Sequence, residues 1–275
     1  MILIADSGST KTSWITVEKK DKSVAIETKG INPVRDSQES IRQIINNISD
    51  YPKGKVEEIY FFGAGCIKPY SDIVKEELKE AFPSAEIQVE SDMLGAAIAL
   101  CGHQKGIACI LGTGANSCLF DGEKIIQQTP ALGYILGDEG SGASLGKHLV
   151  SDIFKKKLPE EIISAFQQET NLTQQEVIER VYRKPQPNLF LSSLVPFLLH
   201  HIEHPAIDNL VVDEFCRFLN RNIRNYNHPE LPVNFVGGIT NGFAHQLKKA
   251  IEKEQMIMGK TIQKPINEIA EYYFC

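Results

Sequence analysis

Two segments of this chain repeat one pattern, and the repeat limits what the chain can fold into. Ile2-Leu-Ile-Ala5 reads as a strand, Asp6-Ser-Gly-Ser-Thr10 as a turn of small polar residues, and Ser13–Val17 as the returning strand. The second copy runs from Ile107–Leu111 through Gly112-Thr113-Gly114 to Cys118-Leu119-Phe120. Glycine beside a hydroxyl residue makes a tight turn whose bare backbone can approach a ligand and aim N–H groups at it. Two such units suggest two halves facing each other across a nucleotide phosphate tail.

The remaining elements fit this frame. Residues 2–5, 13–17 and 23–28 read as a three-stranded meander. Ile41, Ile44, Ile45 and Ile48 fall at i, i+3, i+4 and i+7, the spacing of an amphipathic helix, with Asp36 and Glu39 as its expected capping pair. Strands at 57–62 and 86–90 and helices at 71–81 and 91–101 complete a βββαβαβα order, which points to a mixed sheet with helices on its faces. The second half restarts with strands at 107–111, 117–120 and 124–126, the last two joined at Asp121-Gly122. Gly137-Asp-Glu-Gly-Ser-Gly142 then opens a helix that presents Leu145, Leu149, Val150, Ile153 and Phe154 on one face and stops at Pro159. Further helices are expected at 160–168, 173–182, 189–203 and 207–227. A strand at 233–236, a helix to Lys253, a strand near 256–258 and a helix from Ile266 close the chain.

Composition narrows the class. Of 275 residues, 42% are apolar and 23% charged, with a net charge of −6, so no basic footprint for nucleic acid or an anionic membrane is present. The apolar runs are far short of a bilayer span. Asp6 interrupts the apolar start and no cleavage pattern follows, which predicts a cytoplasmic protein. The six cysteines lack metal-ligand spacing, so reduced core thiols are expected.

Conventional nucleotide motifs are missing. Gly259-Lys260-Thr261 has Glu254 where a P-loop needs its first glycine, and no GxGxxG occurs. The hydroxyls and N–H groups of Asp6–Thr12 suit phosphate oxygens, and the Asp6 carboxylate suits Mg²⁺; an ordinary polar hairpin is the alternative. Gly237-Gly238-Ile-Thr-Asn-Gly242 fits a close pass of backbone against a flat ligand such as adenine, or a strand-to-helix turn needing positive φ. Asp92, in Glu90-Ser-Asp-Met-Leu-Gly-Ala96, suits a helix N-cap. His200, His201 and His204 cluster at a predicted helix end beside Pro205, where a surface or capping role is expected rather than a metal.

Together these motifs resemble the sugar kinase/hsp70/actin superfamily, and within it the BadF/BadG family that includes N-acetylglucosamine kinase. Asp6–Thr12 is similar to the family's first phosphate motif, with Ser7 and Ser9 in place of glycines; Leu111–Asn116 is similar to the second, and Val236–Gly242 to the adenosine motif. Gly137-Asp-Glu-Gly-Ser141 matches the family word for word. The resemblance implies an α/β fold of two ribonuclease H-like, actin/hexokinase-type domains with an interdomain cleft and helical insertions in the second. The domains are expected at 1–103 and 104–264, with the helix at 265–275 packing back on the first.

The resemblance further implies an ATP-dependent, Mg²⁺-requiring kinase acting on an N-acetylated amino sugar, at its 6-hydroxyl, and a homodimer through the second half. Asp6, Ser7, Gly8, Ser9, Thr10, Lys11 and Thr12, with Gly112, Thr113, Gly114, Gly237, Gly238 and Gly242, would hold the nucleotide, and Asp6 the metal. Asp92 would be the base, and Asn32, Thr113, Asn116 and Asp138 would contact the sugar. Ala131-Leu132-Gly133-Tyr134 stands where the family often carries a tryptophan, and Ala115 replaces a serine. A smaller wall at Leu132 would admit a substituent such as the lactyl ether of N-acetylmuramic acid, whose carboxylate Arg35 would meet. Two other classes are set aside. An ATPase activator of a radical dehydratase carries a cluster-ligating cysteine where Leu111 stands, and a non-catalytic sugar sensor would lack the base and magnesium carboxylate present here.

Overall fold

The computed structural model describes residues 1–8, 10–18, 21–22, 26–49 and 55–273. Ser9, the start of the expected third strand at 23–25, and Cys275 lie outside the described residues. The chain divides into two compact units: residues 1–105, 120–125 and 264–275, and residues 106–119 and 126–263.

The first unit is built on a six-stranded sheet. Its strands are β1 (Ile2–Ser7), β2 (Lys11–Glu18), β3 (Asp21–Lys22), β4 (Ile26–Lys29), β5 (Glu58–Gly63) and β6 (Glu86–Ser91). β1 pairs antiparallel with β2, and parallel with β5, which pairs parallel with β6. Helices α1 (Gln38–Ser49) and α2 (Tyr70–Ala81) connect β4 to β5 and β5 to β6, and α3 (Asp92–Cys101) follows β6. Parallel neighbours need such crossovers, and the loops at the strands' C-terminal ends collect ligand-binding residues. Trp14, Phe61, Leu3 and the isoleucine stripe of α1 are buried in one apolar core, and the Trp14 indole N–H donates to the Thr28 hydroxyl. α1 departs from expectation at its start. Asp36 accepts the Asn32 N–H and pairs with Arg35, while Ser37 accepts the Ser40 N–H and takes the capping position.

The second unit repeats the strand–turn–strand start with β7 (Gly106–Leu111), β8 (Ala115–Phe120) and β9 (Ile125–Gln128). It continues through α4 (Gly133–Leu136), α5 (Gly142–Phe154), α6 (Glu160–Thr170), α7 (Gln174–Tyr182), α8 (Pro187–Ser192), α9 (Val195–His200) and α10 (Pro205–Phe218). A π-helical turn at Leu219–Ile223 prolongs α10; then follow β10 (Pro232–Val236), α11 (Gly238–Gly242), α12 (Ala244–Lys253) and β11 (Ile257–Ile262). The sheet order is β11-β10-β7-β8-β9, with β10 parallel to both β7 and β11. The single helix expected at 189–203 is two, α8 and α9, because Pro196 has no N–H to continue the ladder. The last helix, α13 (Ile266–Tyr272), belongs to the first unit and packs on α3, β1 and β2. Among the described residues no helix is long and apolar enough to cross a membrane, and no disulfide forms among Cys66, Cys101, Cys109, Cys118 and Cys216.

Candidate active site

In the first unit the turn after β1 closes on itself. The Gly8 N–H donates to the Lys11 carbonyl at 3.0 Å. The side chains of Ser7 and Thr12, expected at a phosphate, are instead fully buried. Ser7 Oγ contacts Thr12 Oγ1 at 2.7 Å, donates to the Ile31 carbonyl and accepts the Ile31 N–H, and Thr12 donates to the Lys29 carbonyl. Both hydroxyls thus hold the turn to the loop that carries Asn32. The Lys11 ammonium is paired with Glu27 at 3.1 Å.

Asp6 and Asp92 come from the ends of β1 and β6–α3. Burial, and then the charge of Asp92, push the Asp6 carboxyl up to about 7, against the opposing pull of Lys11. Burial pushes Asp92 up to about 6, while the backbone N–H groups of Met93 and of Asp92 itself hold it down. Asp92 is not the cap of α3. Ser91 occupies that position in extended geometry, and its Oγ accepts the Leu94 N–H at 3.3 Å. The nearby Cys66 thiol is pushed up to about 12 by burial and by the Asp92 charge, so it stays protonated and offers no nucleophile.

Asn32 is fixed by its surroundings. Its Oδ1 accepts the Val34 N–H at 3.1 Å, and a side chain at Gly65 would collide with that oxygen. Arg35, read as a partner for a lactyl carboxylate, pairs with Asp36 at 3.1 Å.

In the second unit the turn after β7 is held by the start of α5. The N–H groups of Gly142 and Ala143 donate to the carbonyls of Gly112 and Thr113 at 2.8 and 3.1 Å. Ser141 caps α5 by accepting the Ser144 N–H, so Asp138 is not needed there. Asp138 instead sits in the left-handed region at φ +56° and accepts the Ala115 N–H at 3.2 Å. A side chain at Gly114 would press on that carboxylate at 3.1 Å. Burial raises the Asp138 pKa, opposed by the Ala115 bond.

Glu214 lies underneath this segment, its side chain only 2% exposed. Its carboxylate accepts the Gly140 N–H at 3.2 Å, the Ser144 hydroxyl at 2.5 Å and an Arg217 N–H at 2.7 Å. Arg221 and Asn222, from the π-helical turn, hold Glu139 at 2.6 and 3.3 Å. A cavity of about 260 Å³ is lined by Asn116, Leu132, Leu136, Asp138, Glu139 and Arg221, among others. Three expected sugar contacts, Asn116, Leu132 and Asp138, therefore share one cavity. Glu139, Arg221 and Asn222 were not singled out in advance. The π-helical turn that presents the last two has no reliable sequence signature, although such turns concentrate at functional sites.

Gly237 closes β10 at φ +127°, a backbone that side chains rarely adopt, and a Cβ there would collide with the Leu111 carbonyl. Gly112 and Gly238 differ, because a Cβ on either would meet nothing within 4 Å. Neither glycine is needed for packing within the chain, so both leave room against the backbone.

No protein-family model matches the chain, and no curated protein matches it. Solved structures do. A putative N-acetylglucosamine kinase from Porphyromonas gingivalis is 41% identical over 99% of this chain and 98% of its own, with a TM-score of 0.92. Another putative N-acetylglucosamine kinase, from Chromobacterium violaceum, is 16% identical over 98% of both chains at a TM-score of 0.81. A ROK family glucokinase from Streptomyces griseus, in complex with glucose and AMPPNP, shares the fold at 13% identity, with 98% of both chains covered and a TM-score of 0.56. The last two likenesses concern the fold alone: the two-domain α/β architecture of actin- and hexokinase-like sugar kinases. The first likeness, at 41% identity over nearly the whole of both chains, shows that this chain belongs to the N-acetylglucosamine kinase-like family of sugar kinases.

Proposed function

We propose that the protein phosphorylates an N-acetylated amino sugar from Mg-ATP, at the 6-hydroxyl, with Asp92 as general base. The observation that carries this reading is the state of Asp92. Capping of α3 is done by Ser91, and the Asp92 carboxyl is held near 6, so it is ionised yet basic at neutral pH.

The glycine turns support nucleotide binding, because Gly112 and Gly238 leave space that no side chain of the protein fills. Backbone N–H groups of the turns at Asp6–Thr12 and Gly112–Gly114 would hold the phosphates, and Gly237, Gly238 and Gly242 the adenosine. The buried hydroxyls of Ser7 and Thr12 shape the first turn rather than touch phosphate. Asp6 suits Mg²⁺: its carboxyl is raised to about 7 by burial and by Asp92, a cost that a cation beside it offsets. When bound, Mg²⁺ neutralises charge on the transferring phosphoryl group.

Asn116 and Asp138 offer an amide and a carboxylate to the sugar from one cavity, and Asn32 offers a second amide. Asp92 takes the proton of the acceptor hydroxyl as its oxygen bonds to the γ-phosphorus, and the bond to the β–γ bridging oxygen breaks to release ADP. The base supplies roughly 10²–10⁴ in rate.

N-acetylglucosamine and N-acetylmuramic acid are the two substrates this reading proposes. Leu132 is exposed at the cavity wall, so a 3-O-substituent is not excluded by a large side chain there. ADP release measured with N-acetylglucosamine, N-acetylmuramic acid, glucosamine and glucose separates the cases. Turnover confined to the N-acetylated sugars is expected. Equal turnover of glucose would overturn the amino-sugar reading, and exclusive use of N-acetylglucosamine would remove the muramic acid alternative.

A further inference from the structure

We propose that Glu169, His200 and His201 form a surface site for one divalent transition-metal ion of the zinc class, separate from the reaction chemistry. One ligand atom from each residue lies within 4.8 Å of the other two. Glu169 Oε1 is 2.7 Å from His201 Nε2, and its other oxygen 3.2 Å from His200 Nδ1. Donors bound to a tetrahedral zinc at about 2.0–2.2 Å stand roughly 3–3.5 Å apart, close to both Glu169–imidazole distances. Two imidazoles and a carboxylate suit Zn²⁺, Cu²⁺ or Ni²⁺ and not Mg²⁺, which takes oxygen ligands. A fourth position is left to water.

The three donors are held from below. The His201 ring packs on Phe197 at 4.4 Å between centroids, and Phe197 meets Phe166 of α6 edge-on at 5.2 Å. Thr170, next to Glu169, is tied to the Phe166 carbonyl at 2.7 Å. Glu169 stands in the last turn of α6, where the helix dipole disfavours a carboxylate. A cation there offsets that cost. His204 plays a different part, since its Nδ1 caps α10 and its Nε2 meets Glu161.

The ion would clip the end of α6 to the end of α9, residues 31 or 32 positions apart. Closing such a loop stabilises the folded state through the entropy of the unfolded chain. The helical insertions of the second unit would thereby be stiffened without any part in phosphoryl transfer.

The test is isothermal titration of the untagged, chelator-treated full-length protein with ZnCl₂, beside MgCl₂ and thermal melts. One zinc per chain and a raised Tm are expected, with no equivalent effect of Mg²⁺ on the melt. Glu169→Gln, His200→Ala and His201→Ala should each weaken zinc binding at least ~10-fold, since even an outer partner is worth about that much. His204→Ala should retain it. His200 is 70% exposed, so its variant tests the site without loss of fold. Absence of stoichiometric zinc binding by the wild type, or affinity unchanged when all three donors are removed, would overturn the proposal.

Discussion

Ser91 accepts the backbone N–H of Leu94 at 3.3 Å, and that bond takes the capping duty at α3 away from its neighbour Asp92. Two adjacent residues, each a good helix cap, thus divide the work. The serine, worth about 1 kcal/mol to the helix, anchors it, and the carboxylate is relieved of that duty.

The acid limb of the activity should report this carboxylate. Asp92 must be ionised to accept a proton, and its pKa is raised to about 6. kcat/KM should therefore rise about tenfold per pH unit below that value and level off above it. The Asp92 charge in turn contributes, after burial, to raising Asp6 to about 7. A pH profile from 5 to 9 at saturating Mg²⁺ checks this; a flat profile across pH 5–7 would exclude Asp92 as the base.

Asp6→Asn should trade activity for stability. A carboxyl whose folded pKa is raised binds its proton more tightly in the folded state. Its ionisation therefore costs stability as pH rises from the ordinary carboxylate range through about 7. In nucleotide-free protein the variant should melt several degrees above wild type at pH 8, with a smaller gap at pH 5. Kinase activity should be lost. Melting curves at both pH values decide the matter, and a variant less stable than wild type at pH 8 would contradict it.

Glu214→Gln should act on sugar binding through the loop it supports. The carboxylate holds Gly140 and Ser144 and pairs with Arg217 in a buried setting. Loss of its charge should cost about 1.5–3 kcal/mol of stability and raise the sugar KM more than it lowers kcat. Steady-state kinetics with denaturant melts measure both; a fall in kcat alone would place Glu214 elsewhere in the mechanism.

The parts legible in the sequence are those written locally. The short apolar runs of β1 and β7, and the isoleucine stripe of α1, identify elements because the residues that form them are buried together. The two strand–turn–strand starts likewise marked both glycine turns. What the chain hid were choices between neighbours and contacts across long separations. Asp36 and Ser37 are both cap formers, and only the pairing of Asp36 with Asn32 and Arg35 shows why Ser37 caps. Glu214 meets Gly140 from 74 positions away, and Arg221 reaches Glu139 from a π-helical turn. Ser7 and Thr12 read as phosphate ligands because small hydroxyl residues in a turn look alike whether they face solvent or the Ile31 backbone.

The most direct measurement is Asp92→Asn, assayed for both ADP release and N-acetylglucosamine binding by calorimetry. Because Ser91 caps α3, the helix should persist and the variant should melt close to wild type. The expected result is sugar affinity within a few-fold of wild type, with kcat lower by roughly 10²–10⁴. Near-normal turnover in a folded, sugar-binding variant would contradict the assignment of Asp92 as the base.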